Sequence, residues 1–155
     1  TVEREEQHVA NYLQIQSVRY GSIMRYTIDI DPALRERHML KIVLQPLVEN
    51  AIYHGIKRKR GRGRLTVIGR ALPNGMYFAV EDDGMGMTPE RLAEVRAALR
   101  NGAPLDPEGR GGYGLRNVEQ RLRLYYGCGL TIESEYRHGT RISFTVPDEQ
   151  EEKTL

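Results

Sequence analysis

The segment LKIVLQPLVENAIYHGI, from Leu40 to Ile56, constrains the fold more than any other part of the chain. It is apolar on most sides, so as a helix it offers water no face and has to be covered by other elements. Gly55 marks its end, and Pro46 serves either as a kink or as the true first turn. The flanking patterns supply the cover. Between Val2 and Arg19, the residues Val9, Tyr12, Leu13 and Gln16 share one helical face, with Ile15 at its edge and Gly21 just past the end. Met24, Tyr26, Ile28 and Ile30 alternate with Arg25, Thr27 and Asp29, the period of a half-buried strand. Leu65 to Leu72 and Met76 to Asp82 flank Pro73-Asn74-Gly75, which predicts a hairpin. Thr88-Pro89 starts a helix running to about Arg100, and a basic amphipathic helix covers Leu115 to Tyr126. Leu130 to Glu135 and Thr140 to Val146 read as the last strands.

This order lacks the strict strand and helix alternation of a doubly wound fold. It predicts an α/β (α+β) two-layer sandwich, a mixed and largely antiparallel sheet with helices on one face. A chain of 155 residues makes one domain with a real core, and a single cysteine, Cys128, excludes a disulfide framework. No run reaches the apolar length of a membrane span, and TVEREEQHVANYL lacks the pattern of a signal peptide. The expectation is a soluble cytoplasmic piece of something longer, because it begins at Thr1. With 23 Lys+Arg against 21 Asp+Glu, the net charge of +2 argues against nucleic acid or membrane as the main partner. KRKRGRGR, Lys57 to Arg64, has six basic residues in eight but no interleaved aromatics, so it reads as a solvated loop rather than a nucleic-acid patch.

Three places resist a purely structural explanation. In the first, Glu49 and Asn50 interrupt the apolar helix, and His54, four residues beyond Asn50, shares its face. Asn50 is either satisfied by nearby backbone or functional, and His54 is equally suited to a helix C-terminus. The second, Glu81-Asp82-Asp83-Gly84-Met85-Gly86-Met87, takes a strand into two glycines, where backbone can approach a ligand beside a fixed carboxylate. A plain strand-to-helix turn uses the same residues. In the third, Gly109-Arg110-Gly111-Gly112-Tyr113-Gly114-Leu115-Arg116-Asn117 runs glycines into a helix N-terminus, a place suited to phosphate. Gly109, Gly111 and Gly114 spell G-x-G-x-x-G, but a dinucleotide fingerprint follows a strand and this one follows a Pro-rich loop.

In this order the three places resemble the N box, G1 box and G2 box of the GHKL superfamily, which includes gyrase, the heat-shock chaperone ATPases, MutL and the histidine kinases. LQPLVENAIYHGI, EDDGMGM and GGYGLRNVEQRL are similar to the corresponding boxes of LytS-like sensor histidine kinases. EEQHVANYLQIQSVRYG resembles the segment joining their phosphoacceptor region to the catalytic domain, and His138-Gly139-Thr140 their final Gly-Thr element. The resemblance runs from about Glu3 to Pro147. It implies a Bergerat fold over 21–147, a linker helix over 1–20 and an acidic tail over 148–155.

The resemblance also implies roles. Asn50 would ligate the Mg²⁺ that bridges the phosphates of ATP, with His54 in the same site. Asp82 would accept from the adenine amino group, Gly84 and Gly86 would let the base approach, and Thr140 would support that end. Gly112, Gly114 and Leu115 would face the phosphates, and Asn101 to Gly111 would form a lid. Arg110 and Arg116 read either as phosphate contacts or as solvent-exposed lid arginines. Hydrolytic members carry a general-base glutamate four residues before the asparagine, where this chain has Pro46. Glu49 is left as a polariser of the incoming nucleophile. The family's phosphoacceptor histidine is missing, and His8 stands in the wrong context to replace it.

The implied activity is transfer of the γ-phosphoryl group to a histidine upstream in the parent sensor kinase of a two-component system. The implied partners are ATP, the phosphoacceptor region, a response regulator and a second subunit of the full-length protein, with the membrane reached only through upstream segments. A nucleotide-binding regulatory module that catalyses no transfer, of the degenerate-kinase or anti-sigma type, is the alternative.

Overall fold

The computed structural model describes residues 1–57, 59, 61–102 and 113–148. Its elements are α1 (Val2–Tyr20), β1 (Met24–Ile30), α2 (Leu44–Asn50) continued by a π-helical turn (Ala51–Ile56), β2 (Gly63–Leu72) and β3 (Gly75–Asp82). They are followed by α3 (Pro89–Asn101), α4 (Tyr113–Tyr126), β4 (Thr131–Glu135) and β5 (Gly139–Pro147). The five strands form one sheet in the order β1-β2-β3-β5-β4. Only β1 and β2 run parallel. The mixed, largely antiparallel sheet expected from the element order is therefore the one observed.

Register sets the sheet's two faces. Val67 lies opposite Val80 and Val80 opposite Ile142, while Phe78 lies opposite Phe144 and Met76 opposite Val146. These side chains are all buried, and the two phenylalanine rings stack with centroids 5.4 Å apart. The period of two continues to Asp82, which therefore points inward at the end of an apolar row. On the opposite face Arg141 pairs with Glu81 and Arg70 with Asp29. The hairpin between β2 and β3 pairs Leu72 with Gly75, leaving Pro73-Asn74 as the turn.

The sequence predicts a helix from Leu40, but the helix starts at Leu44. Residues 40–43 are held in another conformation by neighbours distant in sequence. Glu5 of α1, buried, accepts from the backbone N–H groups of Ile42 at 3.0 Å, Val43 at 2.7 Å and Leu44 at 3.0 Å. The Leu40 N–H donates to the Tyr126 hydroxyl at 3.0 Å, and the Arg121 guanidinium donates to the Ile42 carbonyl. Ile42 has φ +55°, rare for a β-branched residue, so three side chains, Glu5, Arg121 and Tyr126, hold a backbone that local preference opposes. Glu5 thus acts as the N-terminal cap of α2, which has no cap of its own. Pro46 falls in the first turn, where its missing N–H costs nothing.

The other helix ends follow local rules. Thr88 caps α3 by accepting from the Arg91 N–H at 3.2 Å, and Gly102 closes it at φ +65°. Helix α1 packs into the common core: Val2, Val9 and Leu13 are fully buried with Leu44, Leu47 and Val48 of α2.

Candidate functional site

The helix carrying Glu49 and Asn50 widens into the π turn immediately after Asn50, with the Lys57 N–H bonding to the Ile52 carbonyl. Such turns recur at functional positions because they reorient the residues that follow. Here the turn brings Gly55 against the end of β3. A Cβ on Gly55 would lie 2.3 Å from Asp82 Oδ1, and one on Gly84 would lie 2.3 Å from the Gly55 carbonyl carbon. The Met85 N–H donates to the Gly55 carbonyl at 3.3 Å. The contact therefore joins backbone to backbone and excludes any side chain at either glycine.

Asp82 sits under this contact. Its Oδ1 accepts from the Gly84 N–H at 2.9 Å, and the Thr140 amide, opposite it in the β3–β5 register, also hydrogen-bonds to the carboxylate. Burial pushes its pKa up from 3.8 to about 6, with a smaller contribution from the neighbouring Asp83, while the two amides and Lys59 pull the other way. The Thr140 hydroxyl shares a hydrogen bond with Ser134 at 2.8 Å. Gly86 has φ +64°, and a Cβ there would meet the Glu135 carbonyl oxygen at 2.0 Å. The close approach that Gly84 and Gly86 permit is, in this structure, an approach to the protein's own backbone.

A cavity of about 500 Å³ opens between α1, α2 and the start of α4, and Asp82, Gly84, Gly86 and Thr140 are not among its lining residues. Glu49, Asn50, His54, Gly114 and Leu115 all line it, so five of the residues singled out in the sequence converge on one space. Glu49 is oriented by Gln45, whose amide nitrogen donates to it at 2.9 Å. A Cβ on Gly114 would meet Pro46 Cβ at 3.3 Å, so the start of α4 rests on the first turn of α2. Arg116 is half-buried on α4 and does not line the cavity. In the expected lid, Asn101 ends α3 and Gly102 caps it. The rest of it, residues 103–111 with Arg110, lies outside the described residues, as does Gly112.

The sequence reading missed half of the cavity wall. Tyr12, Gln16, Arg19 and Tyr20 of α1, together with Ile52, Tyr53 and Lys57, line it too, with Pro46 at the first turn of α2. Tyr12 and Gln16 belong to an amphipathic face whose spacing is the same whether it covers a core or a cavity. Lys57 opens the basic run, which hides it among five other cations. The Tyr12 hydroxyl has its pKa raised, mainly by burial and then by the charge of Glu49.

Among the described residues no group of three or more His, Cys, Asp or Glu side chains is arranged to hold a metal. Asn50, half-buried at the cavity wall, offers one amide oxygen. That donor suits a Mg²⁺ ion that takes its other ligands from phosphates and water.

Residues 36–150 match the family described as histidine kinase-, DNA gyrase B-, and HSP90-like ATPases, and the chain belongs to that family. The sensor histidine kinase YpdA of Escherichia coli is 32% identical over 149 residues, 96% of this chain and 25% of that protein. YesM of Bacillus subtilis, also a sensor histidine kinase, is 32% identical over 95% of this chain and 24% of its own length. The chain spans about a quarter of these curated relatives. Among solved structures, the catalytic domain of histidine kinase ThkA matches with a TM-score of 0.69 at 16% identity, covering 97% of this chain and 95% of that one. The histidine kinase domain of the Erythrobacter litoralis EL346 blue-light activated kinase matches at 0.62 and 15%, over 92% and 60%.

Proposed function

We propose that the chain binds Mg-ATP and transfers the γ-phosphoryl group to a histidine in another part of its parent sensor kinase. The observation that carries this reading is the cavity walled by Glu49, Asn50, His54 and the N-terminus of α4, with the inward carboxylate of Asp82 packed against Gly55, the residue that follows His54. Asp82 accepts from the adenine amino group, so ATP should be preferred over GTP, whose base offers a carbonyl at that position. Asn50 would hold Mg²⁺ through its amide oxygen, and the ion would supply charge neutralisation at the phosphates. The first N–H groups of α4 point at the same anion.

In the transfer, an imidazole nitrogen of the acceptor histidine forms a bond to the γ-phosphorus as the bond to the bridging oxygen breaks and ADP leaves. Glu49, exposed and held by Gln45, accepts a hydrogen bond from the other imidazole nitrogen and receives its proton. The remaining contribution is positioning and electrostatic stabilisation. In the parent protein the site works on a second subunit or on its own phosphoacceptor region, and a response regulator takes the phosphoryl group onward.

Titration with a non-hydrolysable ATP analogue, with and without Mg²⁺, tests the reading. Binding strengthened by Mg²⁺ and weak for the GTP analogue is expected. No binding under either condition overturns it. Binding without transfer to an added phosphoacceptor segment turns the reading to a regulatory nucleotide-binding module.

A further inference from the structure

One wall of the cavity comes from α1, which the proposed transfer leaves without a task. Tyr12, Gln16, Arg19 and Tyr20 stand at the i, i+4, i+7 and i+8 positions of one helical face. Opposite them, Glu49, Asn50, Tyr53 and Lys57 present one face of α2 and its π turn. Arg19 and Lys57 are the lining's arginine and lysine, and each lies over a tyrosine ring, Arg19 at 5.7 Å from the Tyr20 centroid and Lys57 at 4.9 Å from that of Tyr53. The rings orient the two cations without neutralising them. Among the described residues, no carboxylate forms an ion pair with Arg19 or Lys57. The wall is also fixed in place, since buried Val9 and Leu13 and the Glu5 cap tie α1 to the start of α2.

We propose that Arg19 binds the polyphosphate of the nucleotide from α1, so that the nucleotide is clamped between α1 and α2 and its binding is coupled to the seating of α1. This rests on the reading of the cavity as the nucleotide site. A guanidinium offers paired N–H donors that match phosphate oxygens, and its charge offsets the repulsion that Glu49 exerts on the same anion. A nucleotide gripped from both helices resists separation of α1 from α2. Conversely, a pull on α1 withdraws the arginine and loosens the nucleotide. The helix that leads into this domain is therefore part of the site.

The test is calorimetric titration of the whole chain with a Mg-bound non-hydrolysable ATP analogue and, separately, with adenosine. Arg19→Gln should weaken the analogue about tenfold, the worth of one exposed charge-assisted contact, and leave adenosine unchanged. Arg19→Lys should recover part of the loss, and Val18→Ser, at a neighbouring position 84% exposed on the same helix, should match the wild type. Arg19→Gln binding the analogue as the wild type does, or losing analogue and adenosine equally, overturns the clamp while the nucleotide reading stands. A wild-type chain that binds neither compound overturns both.

Discussion

Asp82 sets the terms at the scale of single residues. Its pKa is raised to about 6 by burial, so between roughly 3.8 and 6 the native state holds a proton that the unfolded chain has lost. The stability this group contributes is fully present below 3.8 and falls as pH rises through 6. Asp82→Asn should accordingly raise stability at pH 7.5 by on the order of 1–3 kcal/mol, read as a higher thermal midpoint, and the gain should vanish near pH 3.5. The same substitution should weaken ATP binding about tenfold to a hundredfold. Wild-type affinity should itself decline as pH drops below 6, whereas the Asn variant's should stay level, which paired titrations at pH 5 and 7.5 will show. Glu5 is the second decisive residue. Glu5→Ala leaves three backbone donors at the start of α2 without their acceptor and should cost about 2–3 kcal/mol in urea unfolding.

Among the elements, α1 and the π turn depart most from what their local sequence suggests. The spacing in α1 was legible, but not its destination, because an amphipathic stripe looks alike as a linker and as a core helix. Three of its side chains, Val2, Val9 and Leu13, are fully buried in the core shared with α2 and the sheet. A chain beginning at Gly21 would lose them and the Glu5 cap, on the order of 5 kcal/mol or more, a large part of a domain's stability. Circular dichroism of that truncated chain should show a lost or strongly lowered unfolding transition. The π turn has its own test in Gly55. In Gly55→Ala the added methyl would sit 2.3 Å from the Asp82 carboxylate, so ATP binding should fall at least tenfold and the thermal midpoint should drop. Local pattern marks Gly55 only as a helix stop. Its role as the partner of Asp82 and Gly84 appears only when β3 lies beneath it.

For the whole molecule, the expectation is that this chain alone neither phosphorylates itself nor hydrolyses ATP appreciably. Pro46 stands where hydrolytic members of the superfamily keep their base, and a general base is typically worth 10²–10⁴-fold. Its place in the first turn of α2, against the start of α4, gives it a packing task as well. Supplying the parent's histidine-bearing segment in trans should produce an acid-labile, base-stable phosphate on that segment. Release of inorganic phosphate by the chain alone at the rate of a dedicated ATPase would instead place it in the hydrolytic branch of the superfamily.

The sequence by itself determined the element order, the hairpin and the Thr88 cap of α3. Each of these is written in spacings of a few residues, where side-chain period and turn chemistry act locally. It also marked Glu49, Asn50, His54, Gly114 and Leu115, which the fold gathers around one cavity. Only the tertiary structure decided where α2 begins, which residues of α1 face that cavity, and why Gly55 and Gly84 carry no side chain. Those outcomes depend on contacts between segments far apart in the chain, such as Glu5 with Val43 and Gly55 with Asp82. Local periodicity gives an element its faces, but the neighbour that each face meets is chosen by the packing of the whole.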